Sequence, residues 1–125
     1  MGGGHQMPSY KGHCHCGDVS FEFTTEQPID GGTRCTCSIC VRKGAMMSNE
    51  FINEADLKVN QPKENLGLYQ FGDKKAKHYF CKTCGIYPFH ATARFPDKYR
   101  VNLGCIDEVD PLELPVTVFD GKNLL

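Results

Sequence analysis

The chain has 125 residues, of which 40% are hydrophobic and 23% charged, and its 14 basic and 15 acidic residues give a formal charge of -1. These values are typical of one folded domain and exclude a fully disordered or collagen-like chain. The small net charge argues against nucleic-acid binding, and no apolar run approaches the roughly 20 residues that cross a bilayer.

The first ten residues have the composition of a loose tail. Residues 1–10 include three consecutive glycines among polar residues, so we predict a flexible N-terminal tail there and a single folded domain over residues 11–125. The start has no basic segment followed by an apolar run, as a secretory signal would have. We therefore expect a cytoplasmic protein without membrane association.

The elements predicted after the tail are short strands and single helical turns. Val19, Phe21 and Phe23 alternate with polar residues, which predicts a strand with one buried face. Further strands are predicted over residues 45–52, 66–71, 77–80, 86–93, 99–103 and 116–119, and helical turns over residues 38–43 and 110–114. Because no long window has the 3.6-residue period of a helix, the sequence predicts an all-β fold.

Eight cysteines are an unusual number for so short a chain, and seven of them are clustered. The clusters are Cys14-x-Cys16, Cys35-x-Cys37-x-x-Cys40 and Cys81-x-x-Cys84. Clustering is typical of metal sites, because one loop then delivers several ligands to one ion, whereas disulfide frameworks scatter their cysteines to close long loops. Tetrahedral zinc with thiolate ligands is the ion that this spacing favours.

Seven thiolates are too many for one tetrahedral site, so we predict two zinc ions per chain. The middle cluster is compact enough to bind one ion by itself. The outer clusters then combine into a four-cysteine site that closes a loop of about 70 residues, which is the kind of long-range link that a small core needs. We expect that four-cysteine site to be structural.

The spacing of the cysteines does not identify the fourth ligand of the middle zinc. A water or substrate there would make the site catalytic, whereas Cys105 or a histidine would close it. The candidate histidines are His13, His15, His78 and His90. A further interpretation is a thiol redox sensor in which the middle cysteines form a disulfide when metal is absent.

Four segments resemble the glutathione-dependent formaldehyde-activating enzyme family, which includes centromere protein V. They are GHCHCG at 12–17, CTCSICVRKGAM at 35–46, YFCKTCG at 79–85 and VNLGCID at 101–107. The resemblance implies a β-tent fold of several small coiled β-sheets. It also implies a structural zinc on Cys14, Cys16, Cys81 and Cys84 and a second zinc on Cys35, Cys37 and Cys40.

The resemblance further implies condensation of formaldehyde with glutathione to S-(hydroxymethyl)glutathione, classed as a carbon–sulfur lyase reaction. A small thiol such as glutathione is the expected partner, activated as a thiolate at the second zinc. We expect Ser38 to hydrogen-bond a cluster sulfur or cap the backbone, and Arg42 or Lys43 to pair with substrate carboxylates, with Arg94 and Arg100 as later candidates. The alternative function is a non-catalytic zinc-binding interaction module, and the sequence leaves the oligomeric state open.

Overall fold

The computed structural model describes residues 7–95 and 97–124 and contains three small β-sheets. The strands are β1 (Ser9–His13), β2 (Ser20–Thr24), β3 (Gly32–Cys35), β4 (Met47–Ser48), β5 (Ile52–Asn53), β6 (Leu57–Asn60), β7 (Leu66–Tyr69), β8 (Lys77–Cys81), β9 (Phe89–Ala91), β10 (Lys98–Val101) and β11 (Val116–Phe119). The helices are α1 (Ser38–Lys43) and α2 (Gly121–Leu124), with 3-10 turns at Glu54–Asp56 and Leu103–Cys105. The prediction of an all-β fold with short helical turns is confirmed.

The sheets have the strand orders β1-β2-β6, β5-β10-β9-β8-β7 and β11-β3-β4. All strand pairs are antiparallel except β11 with β3, which are parallel. Of the helices in the described ranges, none has the length and apolar character needed to cross a bilayer.

Several boundaries differ from the sequence-based prediction, including those of β7, β9 and β10, and strands β1, β3 and β6 were not predicted. Strand β1 begins at Ser9, so the last two residues of the predicted tail 1–10 belong to a sheet, while residues 1–6 lie outside the described part. The strand predicted over residues 45–52 is divided into β4 and β5, because the Ser48 hydroxyl donates to the carbonyl of Glu50 and turns the chain between them. Residues 110–114 form a hydrogen-bonded turn instead of a helical turn.

The five-stranded sheet has two chemically different faces. In β9 and β10, Val101 lies opposite Phe89, and both belong to the main hydrophobic core. His90 lies opposite Arg100 and also opposite His78 of β8. Because neighbouring residues of a strand point to opposite faces, these three polar residues form a row on the face away from the core.

Candidate metal centres

Four cysteines converge where the chain leaves β1 and β8. The sulfurs of Cys14, Cys16, Cys81 and Cys84 lie within 4.8 Å of one another. Cys16 Sγ is 3.7 Å from both Cys14 Sγ and Cys81 Sγ, which matches the spacing of about 3.8 Å expected between thiolates on one tetrahedral zinc. Cys14 and Cys81 are fully buried and pack with Val19 in a small apolar cluster, whereas Cys16 is exposed.

The two cysteine pairs of this group are shaped by the same kind of turn. Gly17 and Gly85 have φ angles of +86° and +79°, a conformation that only glycine adopts without strain. Their N–H groups donate to the carbonyls of Cys14 and Cys81, so each turn closes directly after its second cysteine. The Val19 N–H and the Asn65 amide donate to the sulfurs of Cys14 and Cys81, respectively, as suits thiolates.

The second group lies at the junction of β3 and α1. Cys35 ends β3, Cys37 is the N-cap residue of α1 and Cys40 lies within the helix. Their three sulfurs lie within 4.8 Å of one another, and within the described residues no fourth histidine, cysteine or carboxylate joins them. The Cys37 N–H donates to Cys35 Sγ at 3.4 Å. Both groups therefore have the soft sulfur donors that suit zinc, in sets of four and three.

Cys105 does not complete the second group. It is 5% exposed within the main core, and its pKa is raised to about 12 by burial and by the nearby Cys14, Cys84 and Asp107. Those neighbours place it on the side of the first group. All eight cysteines lie in the described ranges, and each is free.

The candidate histidines also lie outside both sulfur groups. His13 is held away by Asp107, whose carboxylate lies 2.9 Å from the imidazole Nε2, and His15 is exposed. His78 and His90 lie in the polar row of the five-stranded sheet. The alternative in which a cysteine or histidine closes the second group therefore has no support in the described part of the chain.

Arg42 and Lys43 are adjacent in sequence but lie in different surroundings. Arg42 is exposed and donates to the carbonyl of Ser38, on its own helix, at 2.9 Å. Lys43 is directed inward, with its Nζ buried 3.6 Å from the centre of the Tyr87 ring. Burial lowers the pKa of Lys43 to about 8, although the charges of Cys40 and Cys37 oppose this shift. Lys43 is thus a buried cation beside the second group.

Arg100 is a second buried cation at the same place. Burial lowers its pKa, while the charges of Cys35 and Cys40 act to raise it. Its guanidinium carbon lies 4.5 Å from the centre of the Phe51 ring. Arg94, in contrast, is exposed. Of the predicted carboxylate partners, Lys43 and Arg100 are therefore the two placed beside the sulfurs.

Ser38 lies exposed at the start of α1. Cys37 holds the N-cap position, and no side chain caps the helix there. Ser38 is therefore the first residue of the helix and does not hold the capping position, while the alternative expectation, a hydrogen bond from Ser38 to a cluster sulfur, stays a prediction. The end of the helix follows the prediction, since Gly44 has a φ of +66° and its N–H donates to the carbonyl of Cys40.

Tyr87 connects Lys43 to the histidines of the polar row. Its hydroxyl lies 2.6 Å from His78 Nδ1, and its ring centre is 5.9 Å from that of His90. Burial, followed by the charge of Lys43, lowers the pKa of His78 to about 4 and that of His90 well below its ordinary value. Burial also raises the pKa of Tyr87. At neutral pH both imidazoles and the phenol are therefore uncharged, and Lys43 and Arg100 carry the positive charge.

The sequence reasoning missed Tyr87 and considered His78 and His90 only as metal ligands. The signal that could have found the row is the alternation along 77–81 and 98–101, which places His78 and Arg100 on one side of their strands. Alternation alone does not reveal which strands are neighbours, so this signal is incomplete without the register.

Together, the three small sheets and two convergent cysteine groups define a small all-β protein with two sets of sulfur atoms that could each hold a metal ion. The profile of the glutathione-dependent formaldehyde-activating enzyme family matches residues 9–121, and the chain belongs to this family. It is also similar to a Rhodobacter sphaeroides protein of known crystal structure, with 43% identity and a TM-score of 0.76. That match covers 86% of this chain and 99% of the other.

Proposed function

We propose that the protein is a zinc-dependent enzyme of the carbon–sulfur lyase type, which joins a small thiol to a carbonyl carbon at the second cysteine group. The reaction is the one named by its family, in which formaldehyde and glutathione give S-(hydroxymethyl)glutathione. The observation that carries the proposal is a three-cysteine group that no fourth described side chain completes, with two buried cations beside it. Under this proposal Cys14, Cys16, Cys81 and Cys84 hold a structural zinc, and Cys35, Cys37 and Cys40 hold the second.

The charges around the second group favour a thiolate ligand. Three thiolates and one Zn²⁺ together carry one negative charge, whereas Lys43 and Arg100 bring two positive charges. One further thiolate brings the centre to two negative charges, which the two cations balance. Bound zinc would lower the pKa of the substrate thiol, so that the nucleophile is present at neutral pH.

The alternative function, a non-catalytic zinc-binding interaction module, would be favoured by a second cysteine group that the protein itself closes. A second group closed by Cys105 would favour a purely structural role, but Cys105 lies in the core beside the first group. We also propose a cytoplasmic location, because each of the eight cysteines is free and a reducing compartment keeps thiols in that state.

The test is exchange spectroscopy on ¹³C-formaldehyde and glutathione with zinc-loaded protein. We expect the rate of S-(hydroxymethyl)glutathione formation to rise above the spontaneous rate, and Cys37→Ser to abolish the increase. Arg42→Gln is the matched control, because Arg42 is exposed and bonded to its own helix. Absence of any rate increase, with full zinc occupancy, would refute the proposed reaction.

A further inference from the structure

Three buried nitrogen atoms around the second group have no hydrogen-bond partner. Within the described ranges, buried side-chain nitrogen or oxygen atoms without a partner occur at Lys43 Nζ, His90 Nδ1, Arg100 Nε and Asn65 Oδ1. Lys43 and Arg100 lie beside the cysteines of the second group and His90 lies next to both cations, whereas Asn65 hydrogen-bonds Cys81 of the first group. Buried polar groups in native proteins are nearly always paired, so three orphans at one place call for an explanation.

The side chains that carry these atoms are neighbours. Arg100 lies directly opposite His90 across β9 and β10, and such antiparallel pairs have Cβ atoms about 4.5–5.5 Å apart. The Tyr87 ring contacts both of the others, with its centre 5.9 Å from that of the His90 ring and 3.6 Å from Lys43 Nζ. The phenol and the sheet thus hold two cations and one neutral imidazole around one small region.

The cysteine sulfurs do not account for these atoms. Their charges act on Lys43 and Arg100, and Lys43 lies within reach of Cys40, but Arg100 Nε and His90 Nδ1 have neither a sulfur nor any other hydrogen-bond partner. Arg100 is also fixed in orientation, because its guanidinium lies over the Phe51 ring. An oriented guanidinium with an unused N–H is suited to an oxygen anion, which it binds with strong, charge-assisted hydrogen bonds.

We propose that Arg100, Lys43 and His90 form an oxyanion subsite, which binds the oxygen of the carbonyl electrophile and the alkoxide that develops on it. This rests on the proposed function. In the reaction a lone pair of the substrate thiolate forms the carbon–sulfur bond, and the π pair of the carbonyl moves to oxygen. The alkoxide then takes up a proton from solvent, equivalent to the one lost when the thiol ionised. Because the negative charge moves from sulfur to oxygen, the same two cations balance it before and after bond formation.

Formate is the probe, because it is a one-carbon oxygen anion. Zinc-loaded protein is titrated with formate while the Arg100 Nε–H signal is followed by ¹H–¹⁵N NMR. We expect this signal to shift in a saturable manner, and Arg100→Gln to weaken formate binding at least tenfold at unchanged zinc content. Arg94→Gln is the matched control, since Arg94 is exposed, and it should bind formate as the unsubstituted protein does.

A second variant keeps the test decisive if Arg100→Gln fails to fold. His90→Phe retains a ring on the same strand but removes the nitrogen, and we expect it to weaken formate binding threefold or more. If formate binds to zinc alone, the variants and the unsubstituted protein will have equal affinity for formate. That result would overturn the subsite. Thiol binding is measured separately, so formate binding without thiol binding would refute the proposed function while supporting the subsite.

Discussion

Lys43 and Tyr87 join the two cysteine groups through one contact, in which the ammonium nitrogen lies 3.6 Å from the centre of the phenol ring. Lys43 ends helix α1, which carries Cys40, and Tyr87 follows the turn that carries Cys84. The phenol hydroxyl continues the connection to His78 of β8. The second group is therefore held against the five-stranded sheet by a buried cation on an aromatic ring.

Substitutions of Tyr87 separate the ring from its hydroxyl. Tyr87→Phe keeps the ring under Lys43 but leaves His78 Nδ1 without its partner, and we expect a loss of about 1–2 kcal/mol in unfolding free energy. Tyr87→Leu also removes the cation–π contact and should cost about 3–4 kcal/mol. Urea denaturation of the zinc-loaded variants measures both, and equal losses would show that the ring contributes nothing to holding Lys43.

The two cysteine groups should respond differently to the loss of one ligand. Cys81 is fully buried in a group that joins segments near residues 14 and 84, so Cys81→Ser should prevent cooperative folding. The ligands of the second group lie within one short segment, residues 35–40, so Cys37→Ser should lose one zinc and still unfold cooperatively. Metal analysis and thermal unfolding check this, and equal destabilisation by both changes would argue against separate roles.

Cys105 should be replaceable without loss of metal. Because it packs in the core outside both sulfur groups, Cys105→Ala should retain the full zinc content and lose about 1 kcal/mol of stability from the small cavity. Cys105→Ser provides the comparison, since it places a hydroxyl in the same apolar position. A zinc content lowered by one ion in Cys105→Ala would make Cys105 a ligand and close the second group.

Because the pKa of His78 is lowered in the folded protein, the free energy of unfolding should depend on pH. Its pKa is about 4 in the folded protein and near 6.5 in the unfolded chain, so its contribution to stability is complete above pH 6.5 and is lost as the pH falls toward 4. At pH 5 the loss should be about 2 kcal/mol. His78→Phe keeps a ring against Phe71 but cannot take up a proton.

The measurement is urea denaturation of both proteins from pH 7 to pH 5 with zinc in excess, so that ligand protonation affects the two alike. Stability should fall less steeply in His78→Phe. Parallel curves for the variant and the unsubstituted protein would mean that the pKa of His78 is the same in the folded and unfolded states.

The sequence predicted the cysteine groups better than it predicted their surroundings. The groups 14/16/81/84 and 35/37/40 follow from spacing, because ligand geometry depends on a few neighbouring residues, and the same local logic placed α1 and its end at Gly44. Ser38 and Arg42 were predicted from closeness in sequence to the second group, yet the helix directs Arg42 back to its own backbone and leaves Ser38 exposed.

The polar row could not be predicted in the same way, because it depends on which strands pair. His78, His90 and Arg100 are separated by ten or more residues and meet only through the registers of β8, β9 and β10. Strand β6 was also missed, although Leu57 and Val59 alternate with polar residues, because its partner β2 lies far away in the chain. Local patterns therefore indicate the cysteine groups, and long-range pairing determines what lies beside them.

X-ray absorption at the zinc edge tests the central claim most directly, because it counts sulfur neighbours. Without added thiol, groups of four and three cysteines predict about 3.5 sulfurs per zinc, the mean of the two sets. Saturating glutathione should raise this to about 4, and Cys105→Ala should behave identically. A value of 4 before any thiol is added, or one that stays near 3.5 at saturation, would contradict a second centre that binds the substrate thiol.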